Sequence, residues 1–271
     1  MAASATSILA RLSRQPFSFH RNTLDRGDFY AALWPFSLSA DRLFDEFNGD
    51  TLQTALWATA VTAGGAPTAF AQLVNSAEGS QLEGRTGTTD DGVTALVGAR
   101  HWLGDRNCML ECRFILDTVS GMALEIGFVD TKTDNALKAV SDLDVPTVAN
   151  GAVDTAVVTM DTDQTLTTMA FVSEGSTASM VPTKTDLGTR VPTAATWMTI
   201  RVGIVGDNPF CHVYNSDDPQ QLVLLEEAYH GASIASQIEG GVVLAPHILF
   251  QTRNTTDKIV QLDYVLCLQE R

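Results

Sequence analysis

The sequence predicts an all-β protein, an antiparallel sandwich of two sheets behind an extended, partly helical amino-terminal arm. Three observations carry this prediction. From about residue 42 onward the chain is built of short runs rich in Val, Ile, Thr and Phe, punctuated by Gly, Asp and Asn. Within several runs apolar and polar residues alternate with the period of two that a half-buried strand requires. Beyond residue 40 no stretch sustains the periodicity of a long helix, and many short strands without helices point to a sandwich or barrel.

The arm, residues 1–40, comes first. Ile8, Leu9 and Leu12 share one side of a short helix, and an irregular stretch follows with Phe17, Phe19, Phe29, Tyr30, Trp34 and Phe36. That much aromatic surface is a liability in water, so the arm is expected to pack against its own body or a partner. The sandwich occupies 41–271. Weak strands are expected near 44–47, 69–74 and 81–84. Clear ones are expected at 93–101, 108–116, 122–129, 153–160, 168–174, 197–205, 210–215, 221–227, 242–250 and 258–268. Turn signals separate them at Asp105-Arg106-Asn107, Ser120-Gly121, Asp161 to Gln164, Gly206-Asp207-Asn208 and Asn215 to Pro219. The segment 131–152 reads as a long excursion. In 197–205, Met198, Ile200, Val202 and Ile204 form the core face and Trp197, Thr199, Arg201 and Gly203 the other; in 258–268 the core set is Val260, Leu262, Tyr264, Leu266 and Leu268.

The 271 residues are 45% hydrophobic and 18% charged, enough apolar material for a sizeable core and too little charge for wholesale disorder. No run supplies the roughly 20 apolar residues of a membrane helix. Seventeen Lys+Arg against 32 Asp+Glu give a net charge of −15, a sign that repels phosphate backbones and anionic lipid, so neither nucleic acid nor membrane is an expected partner. Charge is uneven along the chain. Arg11, Arg14, Arg21 and Arg26 against Asp25 and Asp28 leave the arm at +2 and the rest at −17. Cys108, Cys112, Cys211 and Cys267 form no C-x-x-C pair and have no histidine at metal spacing, so they read as buried free thiols, with one disulfide between distant strands as the alternative, and no metal or cofactor is expected.

Three stretches form a familiar set. The opening is Leu43-Phe44-Asp45-Glu46-Phe47-Asn48-Gly49-Asp50-Thr51-Leu52 followed by Trp57. The middle is Cys112-Arg113-Phe114, Gly121 and Glu125-Ile126-Gly127-Phe128. The close is Arg253-Asn254 and Leu262-Asp263-Tyr264-Val265. Together, over residues 43–268, they resemble the concanavalin A-like jelly rolls: a first strand and turn, two adjacent long strands across a tight turn, and a last strand that pairs beside the first. A jelly roll of this kind behind an ordered arm, with no cofactor motif, is similar to structural proteins of tailed bacteriophages of the decoration (cement), head-fibre and tail-associated kinds.

Laminarinase-like hydrolases share the sandwich and place two Glu around an Asp on one strand, because retaining hydrolysis needs two carboxylates about 5–5.5 Å apart. Here Glu125 has Gly127 and Val129 on its own face, so the pair is missing and Glu125 reads as a solvent-side or cross-strand residue. The acidic pairs Asp90/Asp91, Asp142/Asp144, Asp161/Asp163 and Asp217/Asp218 read as turn residues. His20, His101, His212, His230 and His247 are scattered, with no nucleophile motif nearby. Stacking of a sugar on an aromatic ring would fall to Trp102, just before a turn, or Trp197, on the non-core set, with Trp57 a third candidate.

The expectation is thus a non-enzymatic virion structural protein at the particle surface, made in the host cytoplasm. It would form a homo-oligomer, a trimer by closed symmetry, and bind a capsid or other virion protein through Leu9, Leu12, Arg11, Arg14, Phe17, Phe19, Arg21 and Trp34. The alternative is a carbohydrate-binding module acting on surface glycans in host recognition, through Trp102 and Trp197.

Overall fold

The structure, a computed structural model, describes residues 40–45, 47, 52–62, 64–73, 81–130, 138–144, 147–148, 152–164, 167–175, 182–188, 192–206, 208–217, 222–230 and 238–270. Arm residues 1–39 lie outside that set, and with them Leu9, Arg11, Leu12, Arg14, Phe17, Phe19, Arg21 and Trp34.

Among the described residues the strands, in chain order, begin with β1 (Ala40–Asp45), β2 (Trp57–Val61), β3 (Thr68–Leu73), β4 (Gln81–Arg85), β5 (Val93–Gly98) and β6 (Trp102–Leu103). There follow β7 (Cys108–Leu116), β8 (Met122–Val129), β9 (Val140–Asp142), β10 (Thr147–Val148), β11 (Thr155–Asp161) and β12 (Ala170–Glu174). The last are β13 (Thr183–Asp186), β14 (Met198–Val205), β15 (Asn208–Asn215), β16 (Val223–Tyr229), β17 (Val243–Thr252) and β18 (Ile259–Glu270). Sheet A runs β16-β15-β14-β7-β18-β4-β3, with β1 also paired to β18. Sheet B runs β13-β12-β11-β8-β17-β5-β2, with β6 on β17. The β9/β10 hairpin lies apart, inside the expected excursion.

The sandwich forms because the inward residues of the two sheets bury each other. Leu110, Cys112, Phe114, Ile200 and Val202 from sheet A meet Leu124, Ile126, Phe128, Val158, Ile248 and Phe250 from sheet B in one cluster. Each large side chain taken out of water there contributes about 1.5–3 kcal/mol. First and last strands do pair, Leu43 opposite Cys267 and Asp45 opposite Val265. Asp45 also joins the sheets: its carboxylate accepts the Phe47 N–H at 2.8 Å and the Trp57 indole N–H, from sheet B, at 3.0 Å.

Two expectations are corrected. The middle strands β7 and β8 are not paired across their turn but lie in opposite sheets, so the chain crosses the sandwich at Gly121. Glycine suits that corner, where φ is +62° and a Cβ would lie 2.0 Å from Asn254 Nδ2. In β18 the core set changes face. Val260 and Leu262 point inward, but Asp263 is an extra residue opposite the Phe114/Arg113 step of β7, and after this bulge Val265 and Cys267 point inward instead of Tyr264, Leu266 and Leu268. The core face of β14 is as expected, Met198, Ile200, Val202 and Ile204.

Candidate functional site

The outward face of sheet B is a grid set by strand register. Across β11, β8 and β17 one row reads Asp161, Ala123, Gln251; the next Thr159, Glu125, Leu249; the third Val157, Gly127, His247. Small residues in the middle of the face leave room above it. The excursion fills that room, with Ala139, Val140 and Leu143 packed on Val129, Val157, Ala170 and Val172. Glu125 fastens it: the carboxylate accepts the Ala139 N–H at 2.7 Å and the Val140 N–H at 2.8 Å, and His247 Nε2 donates to it at 3.2 Å. Glu125 is fully buried, so it is neither solvent-side nor open to a substrate. Its own strand supplies no second carboxylate.

Beside this patch runs a chain of charges. Buried Asp161 is held by Lys138 and by Arg253, whose Nε donates at 2.9 Å, and Arg253 also binds Asp91, which accepts from Gln251 Nε2 at 3.1 Å. Burial alone would raise the Asp161 carboxyl, but the hydrogen bonds and charges of Arg253 and Lys138 outweigh it and hold it below the usual carboxylate range. Arg253 sits where four connections converge: its N–H donates to Gly121 O at 2.8 Å, the Asp91 N–H to Thr252 O at 3.0 Å and the Thr162 N–H to Met122 O at 3.0 Å. Asp90, Asp91, Asp163, Thr255 and Thr256 stand exposed around it. This end of sheet B is therefore a rigid polar surface with donors and acceptors fixed from beneath. The turn reading of Asp163 holds, since its N–H donates to Asp161 Oδ1 at 3.1 Å; Asp161 itself is an interior ion-pair partner.

Trp102 and Trp197 do not stand ready to stack a sugar. Trp102 is 3% exposed, with its ring 6.5 Å from that of Phe128. Trp197 is 5% exposed and carries the Arg113 guanidinium 4.3 Å above its ring. Trp57 is buried as well, through its bond to Asp45. The reason is tertiary: alternation alone predicts that a strand's non-core face meets solvent, whereas here both outward faces are largely buried. The four cysteines are free, buried thiols; burial pushes Cys108 up to about 12 and raises the other three as well.

Other titratable groups have structural partners. His230 bridges Ser173 Oγ at 2.6 Å and Thr185 Oγ1 at 2.9 Å, and burial lowers it to about 4. Glu174 is raised to about 7 by burial and by the charges of Asp154 and Asp130. Among the described residues no group of three or more His, Cys, Asp or Glu is placed to hold a metal ion, and no helix is long and apolar enough to cross a membrane.

Neither known family models nor curated proteins match the sequence. Solved structures do. A protein of unknown function from Shewanella oneidensis MR-1 aligns with a TM-score of 0.54 at 9% identity, over 93% of this chain and 97% of that one. The exoplasmic/lumenal domain of VIP36, bound to Ca2+ and Man3GlcNAc, aligns with a TM-score of 0.52 at 6% identity, over 85% and 88%. The fold these structures share with the chain is an all-β sandwich of two antiparallel sheets. A third neighbour, an immunostimulatory antigen and pseudo β-1,3-glucanase of Mycobacterium tuberculosis, has a TM-score of 0.50 at 12% identity, over 84% and 98%. Nothing in these likenesses indicates a bacteriophage virion protein, a capsid partner or a homo-oligomer.

Proposed function

We propose that this protein is a non-enzymatic carbohydrate-binding module. The observation that carries the reading is the jelly roll shared with the glycan-bound VIP36 domain over most of both chains. The polar end of sheet B supports it locally. Sugar hydroxyls are recognised by fixed carboxylate, amide and guanidinium groups, each with defined donor or acceptor geometry. Asp91, Arg253 and Asn254 supply all three at the meeting of four connections. The binding surface in this reading is that end, rather than Trp102 or Trp197. The buried, three-fold satisfied Glu125 favours binding over hydrolysis, since a nucleophile must reach its substrate.

The test is a glycan array probed with the full chain, with oligomannose and β-1,3-glucan structures included, followed by calorimetric titration of any hit. Asp91→Asn retains a residue type that tolerates the positive φ of +64° there while removing a charge. It is expected to weaken the hit at least tenfold with an unchanged melting temperature. An array without any bound glycan would overturn the function; a hit insensitive to Asp91→Asn and Asn254→Ala would move the surface elsewhere.

A further inference from the structure

The outward face of sheet A is as buried as a core. Alternation puts Met109, Glu111 and Arg113 of β7, Thr199, Arg201 and Gly203 of β14, Phe210, His212 and Tyr214 of β15, and Tyr264, Leu266 and Leu268 of β18 on the side away from sheet B. Register arranges them in three rows. One is apolar, Leu268, Met109, Gly203, Phe210 and Tyr229; the middle is Leu266, Glu111, Arg201, His212 and Glu227; the third is Tyr264, Arg113, Thr199 and Tyr214. In the middle row Glu111 and Arg201 pair at 2.5 Å with no solvent exposure, and Glu111 also accepts from Tyr264 at 2.8 Å. Met109, Leu266, Leu268 and Phe210 are each at most 2% exposed. The strands of sheet B pack on the opposite side of this sheet.

Buried polar atoms on this face lack partners among the described residues: Thr199 Oγ1, His212 Nδ1 and Ser216 Oγ. His212 is informative. Tyr229 donates its hydroxyl proton to Glu227 Oε2 at 3.0 Å, so the 2.8 Å bond between Tyr229 and His212 has Nε2–H as donor. Burial lowers His212 to about 3, so the ring is neutral and Nδ1 presents a lone pair. An acceptor buried in that state calls for a donor from whatever lies above it.

We infer that the chain's own residues 1–39 are the cover of this face, seated on it within the same molecule. The chain enters β1 at Ala40 opposite Glu270 of β18, the strand that contributes Leu266 and Leu268. Five strands at about 4.8 Å span about 24 Å. At about 3.4 Å per extended residue the Trp34-to-Phe36 cluster, four to six residues upstream, reaches about 14–20 Å, the distance from β1 to β14 and β15. The composition matches: Phe17, Phe19, Phe29, Tyr30, Trp34 and Phe36 suit the apolar row, and a segment of net +2 meets a body of −17 whose Glu227 stands at the rim. In this inference a donor from the segment would meet the lone pair of His212 Nδ1, which has no partner among the described residues. The inference does not depend on sugar binding.

The experiment is photo-crosslinking of the full chain with benzoylphenylalanine in place of Tyr229, which is 42% exposed at the rim. Val61, 40% exposed at the end of β2 on sheet B, serves as the control position. Crosslinks from the Tyr229 position to peptides within 1–39, in a product of single-chain mass, are expected, and none from Val61. Crosslinks only to residues 40–271 or to a second chain, or none at all, overturn the inference. A second readout is amide exchange in full-chain Trp34→Ala/Phe36→Ala: at least tenfold faster exchange in β14 and β15 with β8 and β17 unchanged is expected, and unchanged exchange in β14 and β15 overturns it.

Discussion

Replacing Glu125 asks whether the carboxylate at the centre of sheet B serves structure. In the folded chain it accepts two backbone N–H groups of the excursion, from Ala139 at 2.7 Å and Val140 at 2.8 Å, together with His247 at 3.2 Å, and it is fully buried. Glu125→Ala strands both backbone donors. At about 1–3 kcal/mol for each buried unsatisfied group, the loss is about 2–6 kcal/mol, to which the cavity left by the side chain adds. Glu125→Gln keeps the volume and one acceptor oxygen but turns an NH2 toward a backbone donor, so about 1–3 kcal/mol is lost. Equilibrium urea unfolding measures both; the midpoint should fall in that order with an unchanged slope. Amide exchange should show Ala139 and Val140 opening well before β7 and β14. A Glu125→Ala protein within about 0.5 kcal/mol of the wild type would refute the reasoning.

Three further outcomes are expected. His230 and His212 are held neutral by burial, at about 4 and about 3 against an ordinary 6.5, so below 6.5 the unfolded chain takes up protons that the folded chain does not. Stability should be full above about pH 6.5 and decline as pH falls toward 4, in thermal unfolding scans across that window; a flat profile would count against burial of the two rings. The four thiols should be silent to a disulfide reagent in the native chain and all react in denaturant, because each is buried and raised. Gly127→Ala should be far more damaging than Gly203→Ala: the first Cβ lands 2.1 Å from the Ala156 carbonyl of a paired strand, whereas the second meets the ring of Phe210 at 2.4 Å, which can tilt at a cost of about 1–3 kcal/mol. Denaturation midpoints of the two variants check the order.

The sequence by itself determined the fold class and most of the strands. A period of two in β-branched and aromatic residues is a local property, and it marked β7, β8 and β14 with their turns and placed Met198, Ile200, Val202 and Ile204 inward. It did not reveal β2 or β13, short strands whose Ala, Thr and Lys content carries little apolar signal. Nor could it show the bulge at Asp263, since register follows from the partner strand and alternation alone continues past it. The candidate site was the least legible part. Asp161, Lys138, Arg253 and Asp91 lie on four separate segments, and only the folding of the sheets brings them together. A strand edge and a non-core face suggest Trp102 and Trp197 as stacking platforms, yet both are buried, because exposure depends on what the rest of the chain lays over a face. Alternation tells which side of a strand a residue takes. Which sheet the strand joins, and which of its faces meets water, is decided by contacts between residues far apart in the chain.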